Sequence, residues 1–198
     1  MKPRDVNCHF MKKPQKRTFR FLLIFILTLI ALYNFLLSNY NGMFKDEGFK
    51  ELTNTIKKAK NENLEPILKV YNKIYNVKSQ IKQKNCSCEN ASNYIDPYRH
   101  GFSITKKIYT LKIEKEFTEV ECLKFDFLNA DYLYGNKGIK QASKYYFNKE
   151  IENLNEREII NLILMLENPS LHNPKRERNI TKIKIDFYQR YINKKNGS

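Results

Sequence analysis

The side chains best suited to acid–base chemistry lie in one polar stretch of this 198-residue chain, residues 84–101. Glu89 could act there as a general base, and Asp96 with His100 could form an acid–base dyad. A working carboxylate needs burial or a charged neighbour to shift its pKa, and a polar loop supplies neither. We therefore interpret Glu89 as a solvated carboxylate, Asp96 as a turn residue and His100 as a surface histidine.

The same stretch contains Cys86-Ser87-Cys88, a spacing that could supply half of a metal site. Completing the site would require Cys122 or two histidines that are not adjacent in sequence, so we predict no zinc site. In an oxidising compartment a disulfide from Cys86 or from Cys88 to Cys122 is the better interpretation. One thiol would then be left over.

An uncharged apolar segment, residues 21–37, precedes all of these residues. Seven Lys/Arg and one Asp give residues 1–20 six net positive charges, whereas the charges just after the segment balance. The positive-inside rule then predicts a cytoplasmic basic tail at 1–20, a transmembrane helix at 21–37 and an extracytoplasmic remainder. A cleaved signal peptide is the alternative. The long basic region and the lack of a small-residue cleavage site after Leu37 argue against it.

The formal net charge of +15 is concentrated at the two ends of the chain. Residues 174–198 contribute six net positive charges, as residues 1–20 do, and the residues between hold only three. Since the folded middle of the chain is nearly neutral, we expect no nucleic-acid partner. The C-terminal cluster suits an anionic surface, such as lipid headgroups or a diphosphate.

Hydrophobic periodicity beyond the apolar segment predicts helices and no strand. After a linker at 38–50, we expect residues 51–198 to form one extracytoplasmic all-α domain. Thr118-x-x-Glu121 has the pattern of a capping box, in which each side chain bonds an amide of the other residue, and Asn155-x-x-Glu158 indicates a second N-cap. The predicted helices lie at about 46–60, 64–83, 103–116, 118–132, 139–147 and 155–168, with a last one from about 174.

Two of these helices carry distinctive apolar patterns. The run Ile159–Leu166 is apolar on every side, which predicts the central core helix. The last helix carries Ile180, Ile183, Phe187 and Tyr191 along one stripe.

An ordered series of short motifs runs from Leu111 to Pro174. The motifs are Leu111-x-Ile113-Glu114-Lys115, Phe127-Leu128-Asn129, Gly138 with Tyr146-Phe147-x-Lys149, Leu154 with Glu158, and Asn168-Pro169-Ser170-x-x-Asn173-Pro174. This series resembles glycosyltransferase family 51, the peptidoglycan glycosyltransferase domain of class A penicillin-binding proteins and monofunctional transglycosylases. The alternative is a helical domain unrelated to this family.

The resemblance implies a lysozyme-like helical fold and a role in extending glycan strands from lipid II. In the family, a glutamate in a Glu-Asp-x-x-Phe-x-x-His-x-Gly motif deprotonates the attacking sugar hydroxyl, and a second glutamate lies in Arg-Lys-x-x-Glu. Positive charge, often with a divalent metal, neutralises the departing diphosphate. By resemblance, the candidate substrate-binding residues are Lys106 and Lys107, which stand where the family's groove segment has glutamines, with Asn129 and Lys140.

The chain departs from the family at both catalytic motifs. Glu89-Asn90 is the nearest match to the first motif, but the following aromatic residue and His100 have the wrong offsets. Residues 91–113 contain Asp96 but no glutamate, so the second motif has no match. We assign no catalytic residue with assurance, and Glu89 and Asp96 are the only weak candidates. A divalent metal is expected only if the protein is active.

The sequence thus predicts a membrane-anchored, peptidoglycan glycosyltransferase-like protein of cell-wall biogenesis in the bacterial cytoplasmic membrane. Its expected partners are membrane lipid, lipid II or nascent glycan, and a cell-wall synthase. Three interpretations stay open: a lipid II polymerase, a pseudoenzyme that binds without turnover, and an unrelated interaction module. The missing carboxylates favour weak turnover or none.

Overall fold

The computed structural model of the protein describes residues 14–78, 87–95, 104–176 and 178–196. Over these residues the predicted all-α fold is confirmed: every regular element is a helix, and one isolated β-bridge joins Asp131 to Lys137. The architecture has the helical character expected of a lysozyme-like domain behind an N-terminal apolar helix. The chain divides into two compact units, Met1–Lys45 and Asp46–Ser198.

The first unit contains helix α1, Pro14–Leu36, and a short 3-10 helix, Gly42–Lys45. Within α1, Thr18–Leu36 is long and apolar enough to cross a membrane. Two polar side chains within the apolar part of this stretch bond the carbonyls of their own helix, Thr28 at 2.7 Å and Asn34 at 2.9 Å. A bilayer requires this internal pairing because it offers no water. The helix begins inside the predicted tail at 1–20, since Lys and Arg are good helix formers.

The second unit contains eight α-helices among the described residues. They are α2 (Glu47–Lys60), α3 (Glu65–Lys78), α4 (Ser87–Ser92), α5 (Ile104–Glu116), α6 (Glu119–Asn129), α7 (Ile139–Phe147), α8 (Glu156–Glu167) and α9 (Asn179–Asn196), with 3-10 turns at Ile151–Asn153 and Pro174–Arg176. Helix α2 begins inside the stretch assigned to a linker, 38–50. Asp46 starts it by accepting a hydrogen bond from the Gly48 amide at 3.0 Å.

The predicted capping box at Thr118 is confirmed, and the predicted N-cap at Asn155 forms a capping box as well. The Thr118 hydroxyl accepts from the Glu121 amide at 3.3 Å, and the Glu121 carboxylate accepts from the Thr118 amide at 2.8 Å. Asn155 and Glu158 exchange the same two bonds, at 3.0 and 2.8 Å. These pairs satisfy amides that a helix start leaves open, so they define where α6 and α8 begin.

Helix α6 ends at Asn129, before the predicted end near residue 132, because α7 passes close to it. Gly138 has a φ of 82°, and its amide donates to the Ala130 carbonyl at 2.8 Å. A Cβ at this position would overlap the carbonyl of Leu128. Glycine alone permits both the left-handed backbone and this close approach.

Helix α8 is the centre of the core, as predicted from its apolar run. Its residues from Ile159 to Met165 are all buried, and it packs against α3, α7 and α9. Asn161 is the one polar side chain within that run. The remaining buried side chains are aliphatic or methionine, so burial on every side follows from composition.

The apolar stripe read from the last helix is not the face that α9 packs into the core. The buried side chains of α9 are Thr181, Ile185, Tyr188 and Ile192, whereas Ile180, Ile183 and Phe187 are exposed and Tyr191 is partly buried. Both sets recur at helical spacing, so periodicity cannot choose between them. Packing against α8 and α3 decides which one is covered.

Candidate functional site

Helices α4, α5 and α6 pack together and carry most of the candidate site residues. A disulfide between Cys88 and Cys122 joins α4 to α6, with the two Cα atoms 5.0 Å apart. Of the two pairings that the sequence left open, the structure contains this one. Cys86 lies outside the described residues. The bond fixes a six-residue helix that has little apolar surface of its own.

Of the two candidate carboxylates, Glu89 is the one that the structure describes. Glu89 lies on α4 with its side chain exposed, and its backbone carbonyl accepts a hydrogen bond from the Ser92 hydroxyl at 2.7 Å. Asp96 and His100 lie outside the described residues. An exposed carboxylate keeps its hydration, so Glu89 lacks the burial that would prepare it as a general base.

The first turn of α5 carries Lys106, which is half-buried, and Lys107, which is exposed. Thr110 follows these lysines on the same helix, within the stretch 91–113 that contains no glutamate. Thr110 is buried, and its hydroxyl oxygen lies 3.0 Å from the Ser92 hydroxyl and 3.0 Å from the Lys106 carbonyl oxygen. This position therefore holds neither a carboxylate nor a side chain that reaches solvent.

One carboxylate that sequence reasoning missed is buried in this region. Asp126 on α6 is 4% exposed, and its Oδ2 accepts a hydrogen bond from Asn90 Nδ2 at 3.3 Å. Burial raises the pKa of Asp126 to about 7, and the charge of Glu119 adds to the increase, while the bond from Asn90 opposes it. The available signal was an acid with a phenylalanine on each side, Phe125 and Phe127.

Aromatic side chains surround this acid. Burial, together with the charge of Asp126, raises the pKa of Tyr94 to about 12. Tyr132 is fully buried, and the same two causes raise the pKa of its hydroxyl. No described residue forms a hydrogen bond with that hydroxyl. The surroundings of Asp126 therefore favour its neutral form.

A cavity of about 210 Å³ opens beside α6. Asn129, one of the candidate substrate-binding residues, lies on its wall, and its side-chain amide donates to the Phe125 carbonyl at 2.9 Å. The remaining wall combines two aromatic rings with a carboxylate, a hydroxyl and an ammonium group. The lining residues are Gly48, Glu51, Leu52, Thr55, Tyr94, Phe125, Asn129 and Lys137. Aromatic walls with a few polar groups are typical of small-ligand sites.

The lysines along α7 differ in their surroundings. Lys140 forms an ion pair with Glu62 at 2.6 Å, and Lys144 pairs with Glu150 at 2.9 Å. Lys137 instead lies beside Asn129 at the cavity. Of these three lysines, Lys137 is therefore the one that lines the cavity. Sequence spacing alone could not separate it from Lys140.

Metal binding finds little support among the described residues. Within these ranges, no three His, Cys, Asp or Glu side chains come together as a metal site would require. We derive no chemical step from a divalent ion.

Comparison with known proteins gives one match. A family model described as Transglycosylase matches residues 97–192, which include α5 to α8 and most of α9. No curated protein and no solved structure matches the chain. The matched segment contains Lys106, Lys107, Asn129 and Lys140, whereas Glu89 lies outside it. Together with the ordered motifs and the helical fold, this match, which covers just under half of the chain, supports a glycosyltransferase family 51 transglycosylase domain at residues 97–192.

Proposed function

We propose that this protein is a membrane-anchored member of the transglycosylase family that binds lipid II or nascent glycan in cell-wall biogenesis without polymerising it. The family match supports a peptidoglycan-related substrate and a place in the cell envelope. The observation that carries the absence of turnover is the exposed side chain of Glu89 on α4, because Glu89 is the nearest match to the family's first catalytic motif and residues 91–113 contain no glutamate.

Glycosyl transfer needs a base within hydrogen-bond reach of the attacking hydroxyl, and such a base contributes roughly 10²–10⁴-fold to the rate. Glu89 is solvated, and the buried Asp126 is held by Asn90 on the neighbouring helix. Glu89 therefore lacks the burial, and Asp126 the access, that a general base requires.

The cavity beside Asn129 supports binding. Its polar wall groups come from Glu51, Thr55 and Lys137, and the Tyr94 ring provides an apolar surface. A sugar or its diphosphate presents hydroxyl and anionic oxygens, which these groups can pair with. We therefore propose this cavity as the site that receives a polar part of lipid II.

The test is a pair of assays on the full-length protein in detergent with fluorescent lipid II. We expect binding, but no glycan polymer on a gel where an active transglycosylase produces one. Lys137→Ala should weaken binding roughly tenfold to a hundredfold, because it removes a charged hydrogen-bond donor. Lys144→Ala is the matched control, since that lysine pairs with Glu150 instead.

Two results would contradict the proposal. One is glycan polymer that disappears in Glu89→Gln or in Asp126→Asn, which would identify a working base. The other is lipid II binding that is absent, or equal in Lys137→Ala and wild type. Binding of a cell-wall synthase stays a prediction beside this one.

The proposal includes a membrane orientation with the N-terminus in the cytoplasm. Six net positive charges precede the apolar segment, and the apolar part of α1 is long enough to span a bilayer. Alkaline phosphatase fused after Ser198 should be active, and a green fluorescent protein fused there by the Sec route should be dark. The reverse pattern would overturn the orientation. A mature chain shortened by about 37 residues would instead indicate a cleaved signal peptide.

A further inference from the structure

The exposed side of α9 carries an apolar ridge that the core does not use. Ile183 is 67% exposed, and Ile180 and Phe187 are each 51% exposed. Their spacing of three and four residues places them in a line along one side of the helix. Exposed apolar side chains that line up in this way mark a binding surface more often than scattered ones do. We call these three residues the α9 ridge.

Cationic side chains lie on both sides of the α9 ridge. Lys184 is four residues after Ile180 and three before Phe187, whereas Arg190 is three residues after Phe187 on the other flank. Lys184 Nζ lies 3.4 Å from His172 Nε2, and Arg190 is exposed. The helix carries five Lys/Arg in all. Its one acid, Asp186, forms an ion pair with Arg157 of α8 at 2.6 Å.

We propose that the α9 ridge docks on the anionic surface of a lipid bilayer. A helix at a membrane interface buries an apolar face at the level of the headgroups and keeps its cations among the phosphates. The α9 ridge and its two flanking cations have this arrangement. A second copy of the chain is a poor occupant, because it would bring two helices of the same positive charge together.

This inference rests on the proposed membrane anchor and is independent of glycan binding. An anchored chain stays close to the bilayer, so even weak attraction populates the docked state. Anionic lipid adds attraction through each cation near the surface. Docking should therefore depend on the charge of the lipid and on the salt concentration, which a purely apolar contact would not.

The experiment uses the absence of tryptophan from the sequence. Phe187→Trp introduces a single tryptophan in the full-length protein, which is reconstituted into nanodiscs of phosphatidylcholine alone or mixed with phosphatidylglycerol. Lipids with a nitroxide high on the acyl chain quench a tryptophan that reaches them. We expect stronger quenching and a blue-shifted emission of Trp fluorescence in the anionic discs. High salt should reduce both.

Two matched variants control the measurement. Tyr134→Trp replaces an aromatic residue that is 56% exposed on the turn before α7, and its quenching should be the same in both lipids. Arg190→Glu, added to Phe187→Trp, should lower the docked-to-free ratio about fivefold for each unit of charge removed. Lys144→Glu, on α7, should leave that ratio unchanged.

The proposal is overturned if the tryptophan at 187 is quenched no more than the one at 134, or equally in neutral and anionic discs. Shielding of that tryptophan by a dimer, without quenching by lipid, would also overturn it. If Phe187→Trp lost its helical circular dichroism, Ile183→Trp would provide the same readout from the same ridge.

Discussion

Asp126→Asn should make the protein more stable at pH 8 than the wild type, by at most about 4 kcal/mol, and equally stable near pH 4. Burial raises the pKa of Asp126 from 3.8 to about 7 in the folded state. A raised pKa means that the stabilising contribution is complete below pH 4 and is lost as the pH rises to 7 and above. This increase of about three in the pKa corresponds to roughly 4 kcal/mol in the free energy of unfolding.

The asparagine cannot ionise, and its carbonyl oxygen can still accept the hydrogen bond from Asn90. Urea denaturation of both proteins at pH 4, 6 and 8 tests this, with the Cys88–Cys122 disulfide kept oxidised. Glu89→Gln, an exposed carboxylate on α4, is the control and should change stability by less than about 0.5 kcal/mol at each pH. If the difference in unfolding free energy between Asp126→Asn and wild type stayed the same from pH 4 to pH 8, the buried acid would carry no ionisation penalty.

Leu162→Ala should destabilise the folded domain by roughly 2–5 kcal/mol, because it removes a fully buried side chain and leaves a cavity. Leu162 lies in the middle of α8, where every neighbour from Ile159 to Met165 is buried. The loss is measured as the decrease in the free energy of unfolding in urea, with the denaturant slope held in common.

Val120→Ala provides the comparison for Leu162→Ala. Val120 is about half exposed on α6, so its truncation should cost less than about 0.5 kcal/mol. A similarly small loss for Leu162→Ala would mean that α8 is peripheral. That result would also undermine the alignment of the apolar helix with the family.

Features that depend on neighbours in the chain were determined by the sequence alone. The all-α class, the two N-caps and the buried run of α8 each depend on residues up to four positions apart, whose relation is fixed once a helix forms. The ordered motifs from Leu111 to Pro174 likewise identified the family that the match to residues 97–192 supports. Local chemistry is sufficient for predictions of this kind.

Features that depend on distant partners were decided only by the tertiary structure. Asp126 meets Asn90 across 36 residues, and Lys140 meets Glu62 across 78. The burial of Thr110 likewise depends on the neighbouring α4. Helix α9 has two apolar stripes that the sequence could not distinguish, and the packing of α8 and α3 buries one of them. Periodicity determines which residues share one side of a helix. Whether solvent is excluded from that side depends on the neighbouring helix that packs against it. The chemistry of the buried acid and of the exposed ridge therefore follows from packing that no local pattern contains.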